Sequence, residues 1–64
     1  MDWLNFIKIM IMEEEAARAK YQLAVDLAED KDLKAFFARL RDEEEFHAQY
    51  LEGEYEKLIK MQGA

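Results

Sequence analysis

A single polar break, Glu29-Asp30-Lys31-Asp32, interrupts a chain that otherwise contains no proline and only two glycines, Gly53 and Gly63. Proline and glycine are the residues that most often end helices, and what remains is rich in Ala, Leu, Glu, Lys and Met, the strong helix formers. The sequence therefore predicts an all-α chain of two long helices, about 2–29 and about 32–61, joined by one short turn. Asp2 is placed to cap the first helix, and either Asp30 or Asp32 to cap the second.

Both segments carry a heptad-like seam, with apolar residues alternating steps of three and four. In the first it runs Trp3, Ile7, Met10, Glu14, Ala17, Tyr21, Ala24 and Ala28; in the second, Leu33, Phe37, Leu40, Glu44, His47, Leu51, Glu54, Leu58 and Met61. Further apolar residues, among them Phe6, Ile11, Leu23, Phe36, Phe46, Tyr50 and Ile59, widen each stripe beyond what one helix–helix contact can cover. Two helices of similar length joined by a short turn make an antiparallel hairpin. Two such hairpins related by a two-fold axis make a four-helix bundle and cover the surplus apolar surface. The expected state is a homodimer or a higher even-numbered oligomer.

Size and charge narrow the function. With 64 residues there is room for one small domain, spanning 1–64, and a chain this short rarely builds a sufficient core without a staple. It has no cysteine, which removes disulfides, thiolate metal sites and iron–sulfur clusters, accords with a cytoplasmic location, and leaves oligomerisation or a metal as the staple. A net charge of -6 offers no cationic patch for nucleic acid or anionic lipid. The most apolar run, Trp3 to Met12, is about half the ~20 residues of a bilayer span and reads as core. No membrane partner is expected.

The seams themselves contain ionisable residues, Glu14, Glu44, His47 and Glu54. An ionised group withdrawn from water costs roughly several kcal/mol unless a cation or a proton compensates it. Glu44 and His47 form a Glu-x-x-His pair, one turn apart on the same helix face. Taken alone the pair is weak, because with ten Glu in the chain about one His in six would have a Glu three residues before it by chance. Its level in the hairpin says more. If the chain turns near Asp30, facing residues have numbers summing to about 60, and Glu14 then lies between the levels of Glu44 and His47. Three oxygen and nitrogen ligands thus converge on one layer, beside the small Ala16 and Ala17. A two-fold axis near that layer doubles the set to four Glu and two His, a count suited to two iron ions.

On these residues the chain resembles the ferritin-like superfamily, and within it the rubrerythrin-type segment. Met12 to Tyr21 (MEEEAARAKY) is similar to the first metal helix of that family, where a ligand Glu stands seven residues before a Tyr, and Arg41 to Ala48 (RDEEEFHA) is similar to the second. One hairpin per chain, and the thirty-residue interval from Glu14 to Glu44, resemble the encapsulated ferritins, whose di-iron site forms between subunits. The resemblance implies a ferritin-like half-bundle and a di-iron centre shared across a dimer interface, with Mn or Zn as substitutes for iron. Glu14 would be a terminal carboxylate, Glu44 a bridging one and His47 a nitrogen ligand. It further implies a ferroxidase that turns Fe(II) into Fe(III), and a protein shell of the encapsulin type as a partner. The alternatives are a rubrerythrin-like protein that reduces peroxide or oxygen, and a helical oligomerisation module stapled by metal without catalysis. The missing Cys-x-x-Cys domain, and Ala17 where some rubrerythrin half-sites carry Glu, depart from the rubrerythrin pattern.

The other polar residues near the seams have plainer readings. Tyr21 is expected in the core, and Glu54 near the bundle end as a polar residue or part of an ion path. Glu43, one turn before His47, is placed to orient the free nitrogen of its ring.

Overall fold

Asp2 and Asp30 set where the two helices begin. The Asp2 carboxylate accepts the Asn5 N–H at 3.1 Å, satisfying one of the free donors of the first turn of α1 (Trp3–Leu27), and its carbonyl accepts the Phe6 N–H at 3.0 Å as the first helical bond. Asp30 repeats the arrangement for α2 (Lys31–Gly63), accepting Leu33 N–H on its side chain at 2.8 Å and Lys34 N–H on its carbonyl at 2.9 Å. Asp30, and not Asp32, is therefore the cap, which moves the helix start one residue earlier than the sequence suggests. Asp32 lies inside the first turn, where a negative charge suits the positive end of the helix dipole.

The first helix stops two residues short of the expected Glu29. Ala28 leaves the helix in an extended conformation, φ −69° and ψ 129°, while its N–H still bonds the Ala24 carbonyl at 2.9 Å. No glycine stands there to make a left-handed cap, and the last turn is closed from the other helix instead: Lys34 Nζ donates to the Val25 carbonyl at 2.7 Å. The second helix continues past Met61 to Gly63. Gly53 sits inside it with ordinary helical backbone and open space around the position of a Cβ.

The computed structural model describes residues 1–63, and among them there are two helices and no strand. The helices pack as an antiparallel hairpin 51 Å long and 15 by 14 Å across. Three cross-links fix the register. Tyr21 stacks on Phe37 with ring centroids 6.5 Å apart, Arg41 Nη1 donates to Gln22 Oε1 at 3.0 Å, and Lys34 reaches Val25. Each joins residues whose numbers sum to about 60, as a turn near Asp30 requires. Tyr21, expected in the core with a hydrogen-bonded hydroxyl, is half-buried in this stack.

The seam residues Ile7, Met10, Ala17, Ala24, Leu40, Leu51 and Leu58 are half-buried between the helices, whereas Trp3, Leu33 and Met61 at the seam ends are exposed. Among the described residues only Ala48 is fully buried, at 6% exposure. The hairpin has a contact seam and no closed core, as the width of the apolar stripes anticipates. No helix among the described residues is long and apolar enough to cross a membrane.

Candidate metal centre

Ala48 is small enough to let the helices approach, and the layer beside it brings the three singled-out side chains together. Glu14 comes from the middle of α1; Glu44 and His47 come from α2, one turn apart. One ligand atom from each lies within 4.8 Å of the others. The His47 Nδ1 is 3.5 Å from Glu14 Oε2 and 3.9 Å from Glu44 Oε2, so the imidazole nitrogen faces both carboxylates. The expected convergence of Glu14 with Glu44 and His47 is present within a single chain.

Burial within the layer is graded. The side chains of Glu14 and Glu44 are 25% and 22% exposed, whereas His47 is 55% exposed. Glu14 Oε2 is shut off from solvent and has no hydrogen-bond partner. Such an orphaned carboxylate oxygen is costly unless a proton or a cation reaches it. The Glu44 carboxyl is raised above its ordinary value of 4.5, first by hydrogen bonding to Glu14, then by burial and by the charge of Glu14. Glu43 adds a smaller push in the same direction, and His47 opposes it.

The donor set fits a metal ion of borderline hardness. Carboxylate oxygens and a neutral imidazole suit iron, manganese and zinc, and the three donors lie within 4.8 Å of one another. One hairpin offers three ligand residues, with His47 at the rim. A groove of about 340 Å³, lined by Met10, Glu14, Phe46, His47, Tyr50 and Leu51, opens beside it. A second and more polar groove, about 550 Å³, lies on the far side of His47 along α2.

The neighbouring acidic residues have other partners. Glu43 pairs with Arg39 at 3.4 Å, one turn back, and so does not take the expected place beside the His47 ring. Glu54, half-buried near the hairpin end, is bound by Lys57 Nζ at 3.2 Å on its own helix. Phe46 and Tyr50 are the residues whose place at the site is not evident from the sequence. They read there only as extra stripe width, yet they form the exposed walls of the groove into which His47 looks. Their spacing of four around His47 is the one signal that could have marked them.

Fold and site together define a helical hairpin carrying a Glu–Glu–His cluster of metal-ligand geometry. No family model, curated protein or solved structure matches the chain.

Proposed function

We propose that two copies of the hairpin pair through the groove beside His47 and complete a di-iron carboxylate centre that oxidises Fe(II) to Fe(III). The observation that carries this reading is the orphaned Glu14 Oε2, 3.5 Å from the His47 nitrogen and next to a second carboxylate whose proton affinity it raises. A cation held by Glu14, Glu44 and His47 would relieve the unpaired oxygen and the like-charge contact together. Two Glu and one His from one chain leave an iron ion short of ligands, and a second chain doubles the set. The exposed Phe46 and Tyr50 on the groove walls, and the lack of a closed core, favour that pairing.

In this reading Glu14, Glu44 and His47 of each chain would hold the irons, and the apolar groove walls would limit water. The irons are the substrate: each Fe(II) gives up one electron, and an oxidant of the dioxygen or peroxide class accepts the pair. The chain's own contribution is to hold the ions close together and neutralise their charge.

A second reading has support from the same hairpin. With Ala48 the one fully buried residue among those described, a metal that only staples helices, zinc or manganese included, would also stabilise the fold. Aerobic Fe(II) oxidation by the wild type and Glu44→Ala separates the two. The ferroxidase reading expects rapid oxidation that Glu44→Ala abolishes, with two irons bound per two chains. Oxidation no faster than in buffer, with a metal-dependent rise in Tm, would leave the staple. A chain that sediments as a monomer with metal present would overturn the shared site.

A further inference from the structure

The groove beside His47 and the seam facing α2 do not account for all the apolar surface of α1. Ile9, Met12, Ala16, Ala19 and Leu23 each follow a seam residue of α1 by two positions, and two residues turn a helix by about 200°. They therefore form a second seam on the back of α1, again in alternating steps of three and four, and Leu27 extends it. All six are exposed, Met12 at 61%, Leu23 at 58% and Leu27 at 70%. This stripe points away from both α2 and the groove, so pairing through the groove would leave it uncovered.

We propose that the back of α1 docks against the same stripe of a second copy, antiparallel, and joins the paired hairpins of the proposed centre into a larger assembly. The inference rests on that pairing. The small Ala16 and Ala19 at mid-stripe let two helix backbones come close, with Met12 of each copy level with Leu23 of the other. The flanking charges fit the same register. Glu13 of one copy comes beside Lys20 of the other, twice by symmetry, and Lys8 comes level with the acidic Asp26 and Glu29. Among the described residues none of Lys8, Glu13, Lys20 and Glu29 forms an ion pair within the hairpin, and Lys20 lies over the ring of its neighbour Tyr21. A parallel arrangement would set Asp26 against Asp26 at the end of the stripe and align the two helix dipoles, and both effects oppose it. Each pair of hairpins carries two such stripes, so docking through them yields assemblies that are multiples of the dimer.

Sedimentation velocity on the full chain with Fe(II) bound, across a range of protein concentrations, tests this. The wild type should exceed a dimer, and Leu23→Glu or Lys20→Glu should reduce its mass to that of a dimer with unchanged helicity by circular dichroism. Glu13→Lys added to Lys20→Glu should restore the larger species, because the pair is re-formed with its signs exchanged. A wild type that stays dimeric at every concentration overturns the proposal and leaves the shared metal centre standing. Rescue of Lys20→Glu by Glu15→Lys in place of Glu13→Lys overturns the antiparallel register, since Glu15 would meet Lys20 only in a parallel pair. Monomers from Leu23→Glu would make this stripe the primary dimer contact and overturn its assignment to the larger assembly; monomeric wild type would overturn the paired centre itself.

Discussion

Replacing Glu44 by Gln should move stability in opposite directions with and without metal. In the metal-free protein the ionised Glu44 carboxylate lies within 4.8 Å of a Glu14 oxygen. Two like charges at that separation repel by about 1 kcal/mol in a high-dielectric setting, and by more where solvent is partly excluded, while the nearby His47 offsets some of this. Gln keeps the size and removes the charge. The metal-free variant should gain about 1 kcal/mol at neutral pH, or roughly 4–8 °C in Tm for a domain of this size. With Fe(II) at a hundredfold excess over its Kd, the wild type should gain about 2.7 kcal/mol per site, which the variant loses.

The pH dependence follows from the raised Glu44. A carboxyl whose pKa is higher in the folded state than in the unfolded one takes up its proton with a gain in stability. That gain is complete below the unfolded value, near 4.5, and disappears as pH rises through the folded value. Metal-free wild type should therefore lose stability as pH climbs from about 4.5 towards neutrality, and Glu44→Gln should flatten the slope. With Fe(II) the wild-type slope should reverse, because protons compete with the cation. Thermal melts followed by far-UV circular dichroism at several pH values, with and without Fe(II) under anaerobic conditions, measure all of this. A Glu44→Gln protein that is less stable than wild type without metal at neutral pH, or that keeps the full Fe(II) increment, would refute the reasoning.

Three further outcomes are expected. His47→Ala should weaken Fe(II) binding at least tenfold by calorimetric titration while leaving helicity intact, since the ring is exposed and its loss opens no cavity. Asp30→Ala should cost about 1 kcal/mol in urea unfolding through loss of the α2 cap, whereas Asp32→Ala should cost only a few tenths through the weakened dipole interaction. Gly53→Ala should raise Tm, by about 0.5–1 kcal/mol of added stability, because the helical backbone is already relaxed there and an added methyl meets open space.

The sequence alone determines the two helices, since nothing but the break at Glu29 to Asp32 interrupts good helix formers, and the spacing of Glu14, Glu44 and His47 sets their angle around each helix. Their shared level is legible too. A short turn in an antiparallel hairpin leaves little freedom of register, and the Tyr21–Phe37 stack and the Arg41–Gln22 bond hold the expected one. Tertiary structure decided the finer points. Asp30 prevails over Asp32 as the cap, and α1 ends at Leu27, because Lys34 reaches back to the Val25 carbonyl, a contact between residues nine apart that periodicity does not encode. The orphaned oxygen of Glu14 and the raised carboxyl of Glu44 depend on how closely the helices approach at Ala48. Helical periodicity gives direction and height along an axis; the distance between two axes comes only from the packing of the side chains between them.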